Sequence, residues 1–371
     1  MTGQYGSTNG VCHFAGRAGG PDKDSREEQI VNHLTFGKVM KKAEYATALA
    51  GKWQLTGEHP TLIHENGFDE YRMWAYKHNL PKGAIHKGYE NKKSKKHSRY
   101  WHPSIVQNGK HVPTTEDQYG PDMYTDFVID FATRNKDKEF FIYYPMALTH
   151  GPFFATPMSK PNAVDKFRNS KKDYFGENVE YTDYLVGRIV KAITDLGLRD
   201  DTIIIFTGDN GTGGEGKNTP TELGARVPFI VNCPGRVKEI GASDALIDTS
   251  DVMPTLVELA QTKLPDGHKI DGTSFAPILR GEQTDTREWI FSFVADKRIL
   301  RTKRYLLENN STDNFGKLFD CGENRDGSGY VNVTHSDRIE VLEIKKQFKA
   351  ILETKPVPAS ALKKRSKKKA A

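Results

Sequence analysis

Residues 202–211 have the sequence TIIIFTGDNG, an apolar run followed directly by glycine, aspartate and asparagine. An unbroken apolar run of this length predicts a strand that is buried on both faces of a sheet. Residues 139–144 (EFFIYY) and 47–50 (TALA) have the same character. Amphipathic helices are predicted at 36–43, 121–133, 178–196 and 251–261. Buried strands that alternate with helices predict an α/β fold with a mostly parallel central sheet sandwiched by helices.

The sequence pattern changes near residue 288, where short strands replace the longer elements. Short apolar runs lie at 289–294, 298–301 and 304–308, and a helix is predicted near 336–352. Such runs with tight connections predict a small antiparallel sheet. We therefore predict an α/β domain at 1–287, a C-terminal α+β subdomain at 288–355 and a basic, disordered tail at 356–371.

The charge of the chain is concentrated at one end. The formal net charge is +6, and six lysine and arginine residues between 363 and 369 account for all of it. The remaining residues are formally neutral and contain no nucleic-acid-binding motif, so we expect no nucleic-acid partner. No apolar run approaches the length of a membrane span. The three cysteines, Cys12, Cys233 and Cys321, are too widely separated for a disulfide framework or a zinc knuckle.

Polar residues follow three of the predicted strands, where an α/β sheet places its ligand site. They are Lys52, His150 and the pair Asp209 and Asn210. A carboxylate and an amide next to each other can both turn toward a hard cation such as Ca²⁺ or Mg²⁺. The same Asp-Asn-Gly sequence also makes an Asx turn after a strand, and the tripeptide alone favours that structural interpretation.

Basic side chains in the same loops suit an anion. Lys52 and Lys217 could neutralise the oxygens of a sulfate or phosphate group, and Gly51 lets the backbone turn sharply before Lys52. His150 could contact the anion or donate a proton to a leaving group. Taken one at a time, the lysines are better explained as surface residues and the histidine as a structural loop residue.

The order of these segments along the chain changes that balance. YATALAGKW (45–53), LTHGP (148–152), TGDNG (207–211) and KNTPTELGARVP (217–228) occur in that order, with MTGQY (1–5) before them and TSDVMPTL (249–256) after them. Each segment alone is a weak signal, but the ordered set resembles the formylglycine-dependent sulfatases, enzymes of the alkaline-phosphatase superfold. The resemblance extends from residue 1 to about residue 320.

The resemblance implies a role for each matching residue. Asp209 and Asn210 would be Ca²⁺ ligands, and Lys52 and Lys217 would bind the sulfate oxygens. His150 would bind sulfate or protonate the leaving alcohol oxygen. In this family a formylglycine, made from cysteine or serine by a formylglycine-generating enzyme, attacks sulfur, and the metal and lysines stabilise charge on the transferring group.

The sequence departs from the family at its nucleophile. No Cys/Ser-x-Pro/Ala-x-Arg signature occurs in the 371 residues, and the paired aspartates that open the first strand and complete the metal site are also absent. Gln54 stands where many members have histidine; it could donate a hydrogen bond to the nucleophile but cannot shuttle a proton. With half of its protein ligands missing, the metal site would hold Ca²⁺ poorly.

Three explanations fit this combination of residues. The first is a sulfatase that is truncated at its N-terminus and inactive in this form. We favour it because residues 1–5 match the middle of a family segment, with no extra residues before them. The second is a non-catalytic homologue that binds sulfated glycans. The third is a phosphodiesterase or phosphonate hydrolase of the same superfold, against which the segment 217–228 argues. We expect a sulfuric ester hydrolase whose substrate is a sulfated small molecule or polysaccharide, exported to the periplasm or outside the cell as the full-length protein.

Overall fold

The computed structural model describes residues 1–10, 30–53, 62–74, 99–159, 166, 174–211, 213 and 215–357. The chain divides into two compact units. Unit 1 comprises Met1–His13 and Ile203–Ala371, and unit 2 comprises Phe14–Thr202. The domain division predicted at residue 288 falls inside unit 1 and stays a prediction, and residues 358–371 of the predicted tail lie outside the described residues.

The helices and strands of the described residues are as follows. The α-helices are α1 (Gly6–Asn9), α2 (Phe36–Lys42), α3 (Leu62–Glu65), α4 (Gly120–Arg134), α5 (Tyr174–Asp195), α6 (Glu222–Ala225), α7 (Val252–Leu259), α8 (Ala276–Leu279) and α9 (Ile339–Glu353). The strands are β1 (Ala46–Gly51), β2 (Glu70–Trp74), β3 (Ile105–Gln107), β4 (Lys110–Val112), β5 (Phe140–Tyr143), β6 (Ile204–Thr207), β7 (Phe229–Asn232), β8 (Ile290–Val294), β9 (Lys297–Arg301), β10 (Tyr305–Asn310), β11 (Lys317–Asp320) and β12 (Val331–Asn332). None of these helices is long and apolar enough to cross a membrane.

Unit 2 is built on a five-stranded mixed sheet with the order β4-β3-β2-β1-β5. Strand β1 runs parallel to both of its neighbours, β2 and β5, whereas β3 and β4 extend the sheet as an antiparallel hairpin. Helices α4 and α2 both pack against β1. The predicted α/β class is therefore confirmed, with an antiparallel edge that the sequence analysis did not predict.

Alternate residues of β5 pack on the two faces of this sheet. Phe140 and Ile142 join the core that contains Phe127 of α4. Phe141 and Tyr143 contact the ring of Phe36 in α2, at centroid distances of 5.3 and 5.0 Å. Because one strand supplies apolar side chains to both faces, its sequence is apolar throughout, as the EFFIYY pattern predicted.

Local signals place the helices of unit 2. The hydroxyl oxygen of Thr35 accepts a hydrogen bond from the backbone N–H of Lys38 at 3.3 Å, so Thr35 caps the N-terminus of α2. Helix α4 has Pro121 in its first turn, where the missing N–H costs nothing. Helix α5 is followed by Gly197 with φ of 74°, the left-handed conformation that ends a helix.

Unit 1 contains two sheets. Strands β6 and β7 form an antiparallel pair, and five strands in the order β12-β11-β10-β9-β8 form an antiparallel sheet. Helix α9 contributes Val341, Ile344, Phe348 and Leu352 to one core with residues of that sheet. This arrangement confirms the small antiparallel sheet and C-terminal helix predicted from the sequence. Strand β6 has no parallel partner among the described strands, although its apolar sequence predicted one.

Candidate anion- and metal-binding residues

The end of β1 is held tightly against the end of β5. The backbone N–H of Lys52 donates to the carbonyl oxygen of Pro145 at 2.8 Å. Gly51 has φ of +91°, and a Cβ at that position would lie 2.3 Å from the same oxygen. Only glycine permits both the conformation and the approach, so Gly51 fixes the point from which the half-buried Lys52 side chain leaves the sheet. Gln54 lies outside the described residues.

His150 lies in the loop that follows β5, and buried groups hold its backbone. Its N–H donates to the carbonyl oxygen of Ala147 at 3.2 Å. The hydroxyl of Tyr100, a buried residue, is within hydrogen-bond reach of the carbonyl oxygens of Ala147 and His150. The imidazole itself is exposed, and its Nδ1 is hydrogen-bonded to the carbonyl oxygen of Gly151. Since a carbonyl only accepts, Nδ1 carries a hydrogen, and Nε2 is the nitrogen whose protonation changes the ring charge.

Lys52 and His150 belong to the same edge of one sheet. They follow β1 and β5, which are neighbouring parallel strands, and the carboxyl ends of both strands face that edge. Unit 2 therefore brings together two of the predicted anion-binding residues. A cationic ammonium and a protonatable imidazole at one sheet edge can bind an oxyanion and supply a proton to it.

Asp209 and Asn210 come directly after β6, where the chain reverses. The backbone N–H of Gly211 donates to the carbonyl oxygen of Gly224 at 3.0 Å. A Cβ on Gly211 would lie 1.7 Å from the carbonyl oxygen of Leu223, so this glycine is required by close packing. The amide nitrogen of Asn210 donates to the carbonyl oxygen of Gly211 at 3.0 Å, which directs the amide oxygen away from that carbonyl.

Lys217 occupies a second tight turn of the same loop. Gly216 accepts hydrogen bonds at its carbonyl oxygen from the backbone N–H and the hydroxyl of Thr219, at 2.9 and 2.6 Å. A Cβ on Gly216 would lie 1.9 Å from the carbonyl oxygen of Leu223, the atom that also abuts Gly211. Both turns, the one with Asp209 and Asn210 and the one with Lys217, therefore pack against Leu223. Unit 1 thus brings Asp209, Asn210 and Lys217 into one loop.

Glu222 is a structural residue of this loop for which the sequence predicted no role. Its carboxylate lies 3.0 Å from the guanidinium of Arg301 in β9, and its backbone N–H donates to Oε1 of Glu308 at 2.7 Å. Arg301 also contacts Sγ of Cys321 at 3.2 Å, and burial raises the pKa of that thiol. Glu222 lies five residues after Lys217, but no local sequence signal shows that it pairs with Arg301, which is 79 residues further along the chain.

A cleft of about 1570 Å³ opens within unit 1 beside this loop. Its polar lining includes Asp209, Asn210, Glu222, Arg226, Arg301 and Arg325. Its apolar lining includes Phe229, Val231, Phe275, Leu279 and Phe291. The guanidinium of Arg226 donates to backbone carbonyl oxygens of Arg325 and Asp326, which fixes one rim of the cleft. The polar end therefore presents both signs of charge next to the predicted metal ligands.

The metal-ligand set of the described residues is partial. Asp209 and Asn210 supply one carboxylate and one amide, whereas Ca²⁺ takes six to eight oxygen ligands. Within the ranges that the structure describes, no group of three or more histidine, cysteine, aspartate or glutamate side chains could hold a metal ion. These residues do not make a complete calcium site, so no catalytic step through a metal follows from their geometry.

Family comparisons cover most of the chain. A family model described as Sulfatase matches residues 1–262, and one described as N-sulphoglucosamine sulphohydrolase, C-terminal, matches residues 217–355. Human arylsulfatase G is 27% identical over 336 residues, which cover 78% of this chain and 60% of that protein. The chain thus spans about three fifths of the length of this curated relative.

Solved structures resemble the fold at lower sequence identity. Ps i-CgsB has a TM-score of 0.73 at 20% identity, with 97% of this chain and 82% of that chain covered. The same protein in complex with k-i-k-neocarrahexaose gives 0.71 at 21% identity, with the same coverage. A phosphonate monoester hydrolase from Silicibacter pomeroyi gives 0.61 at 18% identity and covers 95% of this chain and 84% of that chain. These likenesses show the fold.

Proposed function

The chain belongs to the sulfatase family, and from that membership we propose that the full-length protein hydrolyses the sulfate ester of a carbohydrate or an aryl alcohol. Arylsulfatase G, its curated relative, supports sulfate-ester hydrolysis as the reaction class. The complex of Ps i-CgsB with a neocarrahexaose supports a sulfated glycan as the kind of substrate. The observation that carries the proposal is the placement of Lys52 and His150 at the carboxyl ends of two neighbouring parallel strands.

The residues of the chain have distinct tasks in this reaction. Lys52 and Lys217 bind the non-bridging sulfate oxygens and stabilise the negative charge of the transferring group. His150, with its Nδ1 hydrogen held by the Gly151 carbonyl, donates from Nε2 to the leaving alcohol oxygen. That proton transfer prevents the accumulation of an alkoxide. Gln54 donates a hydrogen bond to the nucleophile.

The nucleophile signature of the family does not occur in these 371 residues. No cysteine or serine of the sequence stands in the Cys/Ser-x-Pro/Ala-x-Arg signature, so the chain alone binds sulfate and does not turn over sulfate esters. We propose that the complete protein carries a formylglycine, installed by a formylglycine-generating enzyme. We also propose that it binds one Ca²⁺ ion, with Asp209 and Asn210 as two of the ligands, and that it is exported.

The test is to supply the nucleophile and follow aryl sulfate hydrolysis. The chain is extended with a formylglycine-bearing sulfatase segment, produced together with the modifying enzyme, and the aldehyde is verified by mass spectrometry. We expect turnover that falls at least about hundredfold in Lys52→Ala and His150→Ala, since each removes charge stabilisation or proton transfer. An aldehyde-bearing protein that cleaves phosphodiesters and no sulfate ester would overturn the proposal.

A non-catalytic binding protein is the second candidate. Two features of the sequence favour it: the basic residues are present and the nucleophile signature is absent. Binding of an anion requires basic residues but no nucleophile. It predicts that the chain binds sulfated glycan in a salt-sensitive way and that adding a nucleophile segment gives no turnover. A phosphonate hydrolase has support only from a fold likeness, and the Sulfatase family model over residues 1–262 argues against it.

A further inference from the structure

Two aromatic side chains meet at the surface of unit 2, and one of them, Phe153, lies three residues after His150 in the same loop. The rings of Phe153 and Phe175 meet in an edge-to-face arrangement, with centroids 5.1 Å apart and an interplanar angle of 65°. The Phe153 ring lies close to the backbone of Gly151: a Cβ added to Gly151 would be 3.6 Å from Cζ of Phe153. Gly151 directly follows His150 and its carbonyl oxygen binds the imidazole Nδ1. The aromatic pair is thus attached to the loop that presents the imidazole.

The pair remains accessible to a ligand. Phe175 is 38% exposed and Phe153 is half-buried, whereas the adjacent Phe154 is 2% exposed and belongs to the core. Val179, one helical turn after Phe175, is 46% exposed and lengthens the apolar strip along α5. Burying such a strip against a ligand releases water from apolar surface, which favours binding without any charge.

We propose that Phe153 and Phe175 form a sugar-binding platform, where the pyranose ring that carries the sulfate, or its neighbour in the glycan, stacks while His150 contacts the sulfate. This inference rests on the proposed function and narrows its substrate to a carbohydrate. One face of a pyranose carries C–H groups with slight positive charge, and an aromatic face is negative. Two rings at 65° form a corner that fits a chair-shaped sugar with C–H groups on its face and edge. A flat aryl group can stack on only one of them.

The test measures the binding of three probes to the 371-residue chain by calorimetry. The probes are a sulfated carrageenan hexasaccharide, 4-nitrophenyl sulfate and inorganic sulfate. We expect Phe153→Ala and Phe175→Ala to lower the ratio of hexasaccharide affinity to sulfate affinity about fivefold, the size of one aromatic contact. Phe153→Leu and Phe175→Leu keep an apolar side chain of similar volume, so they serve as controls for misfolding of the alanine variants. We expect them to lower the same affinity ratio, but by less than the alanine variants do.

Matched variants separate the platform from the anion site. Tyr184→Ala removes an aromatic ring that is 46% exposed and lies nine residues after Phe175, on the opposite side of α5, so it should leave the ratio unchanged. Lys52→Ala should weaken all three probes. If the four phenylalanine variants keep the wild-type ratio while Lys52→Ala loses sulfate, the platform is wrong and the anion site survives.

Two further outcomes would also overturn the platform. If the phenylalanine variants lose 4-nitrophenyl sulfate as strongly as the hexasaccharide, the rings bind aryl groups and the carbohydrate assignment is wrong. If the wild-type chain binds none of the three probes and Lys52→Ala changes nothing, the proposed anion site fails and the platform proposal fails with it.

Discussion

The carboxylate of Glu222 lies 3.0 Å from the guanidinium of Arg301, and the two side chains are only 12% and 8% exposed. Glu222 belongs to the loop that carries Lys217, and Arg301 ends strand β9 of the antiparallel sheet. This nearly buried pair therefore connects the predicted anion-binding loop to the C-terminal sheet of unit 1. Removing either charge would leave the other buried without its partner.

Glu222→Gln should consequently destabilise the protein by about 3 kcal/mol, the usual cost of breaking a buried ion pair. The free energy of unfolding in urea, followed by circular dichroism, measures this loss. Glu282→Gln is the matched control, because its pair with Arg280 is exposed and its loss should leave the stability nearly unchanged. Equal stability losses in the two variants would show that the Glu222–Arg301 pair does not fasten the loop.

Asp251 gives the stability of unit 1 a dependence on pH. Its side chain is fully buried and lies 2.7 Å from Arg287. Burial raises the pKa of its carboxyl to about 6, and the charge of Arg287 opposes that shift only in part. Because the folded protein then binds a proton more tightly than the unfolded chain, this group stabilises the fold below about pH 4 and the contribution is lost as pH rises through 6.

Asp251→Asn should remove that pH dependence. The variant's stability should not fall between pH 4 and pH 6 on account of this group, because an amide does not ionise and its interaction with Arg287 stays the same over that range. Thermal melts across that pH range, compared with the wild type, measure the difference in slope. An unchanged slope in the variant would mean that other groups carry the pH dependence.

Gly51 is the residue on which the position of Lys52 depends. Alanine at this site would have to adopt φ of +91° with its Cβ 2.3 Å from the Pro145 carbonyl oxygen. We expect Gly51→Ala to cost at least ~2 kcal/mol and to weaken sulfate binding, since β1 and β5 must separate at their ends. Gly187→Ala is the control: it lies inside α5 with nothing within 4 Å of its Cβ, and should stabilise by about 0.5 kcal/mol.

The sulfate affinity of Gly51→Ala distinguishes a purely structural role of Gly51 from an effect on anion binding by Lys52. Loss of stability with unchanged sulfate affinity would show that the strand end is structural and that Lys52 does not bind the anion. Loss of both, together with normal binding in Gly187→Ala, would support the proposed role of Lys52.

The sequence predicted the elements with strong local signals. Strands β1, β5 and β6 are continuous apolar runs, and the helix predicted at 36–43 is present as α2. Hairpin β3–β4 was missed although a local signal exists: Asn108 and Gly109 both have positive φ, of 47° and 78°, and Asn-Gly is the preferred sequence for such a two-residue turn. Strand β2 was missed because EYRMW mixes charged and apolar residues.

Site residues were predictable to the extent that they follow strands. Lys52 and His150 come after β1 and β5, so their common edge follows from the parallel pairing. The gathering of Asp209 with Lys217 depends instead on Gly211 and Gly216, which both abut the Leu223 carbonyl oxygen. No local pattern encodes that contact, and the antiparallel pairing of β6 with β7 likewise depends on how the intervening loop folds.

Calcium binding tests the partial metal site directly. With Asp209 and Asn210 as the ligands from the described residues, the 371-residue chain should bind Ca²⁺ with a Kd no tighter than ~1 mM, since water must fill the remaining positions. Asp209→Asn should abolish the saturable part of the calorimetric signal. Asp244→Asn is the control, because Asp244 also lines the cleft but pairs with Lys303 at 3.1 Å and should not affect binding. A micromolar Kd that survives Asp209→Asn would place the calcium ligands elsewhere in the chain, and Asp209 would then be an Asx-turn residue after β6.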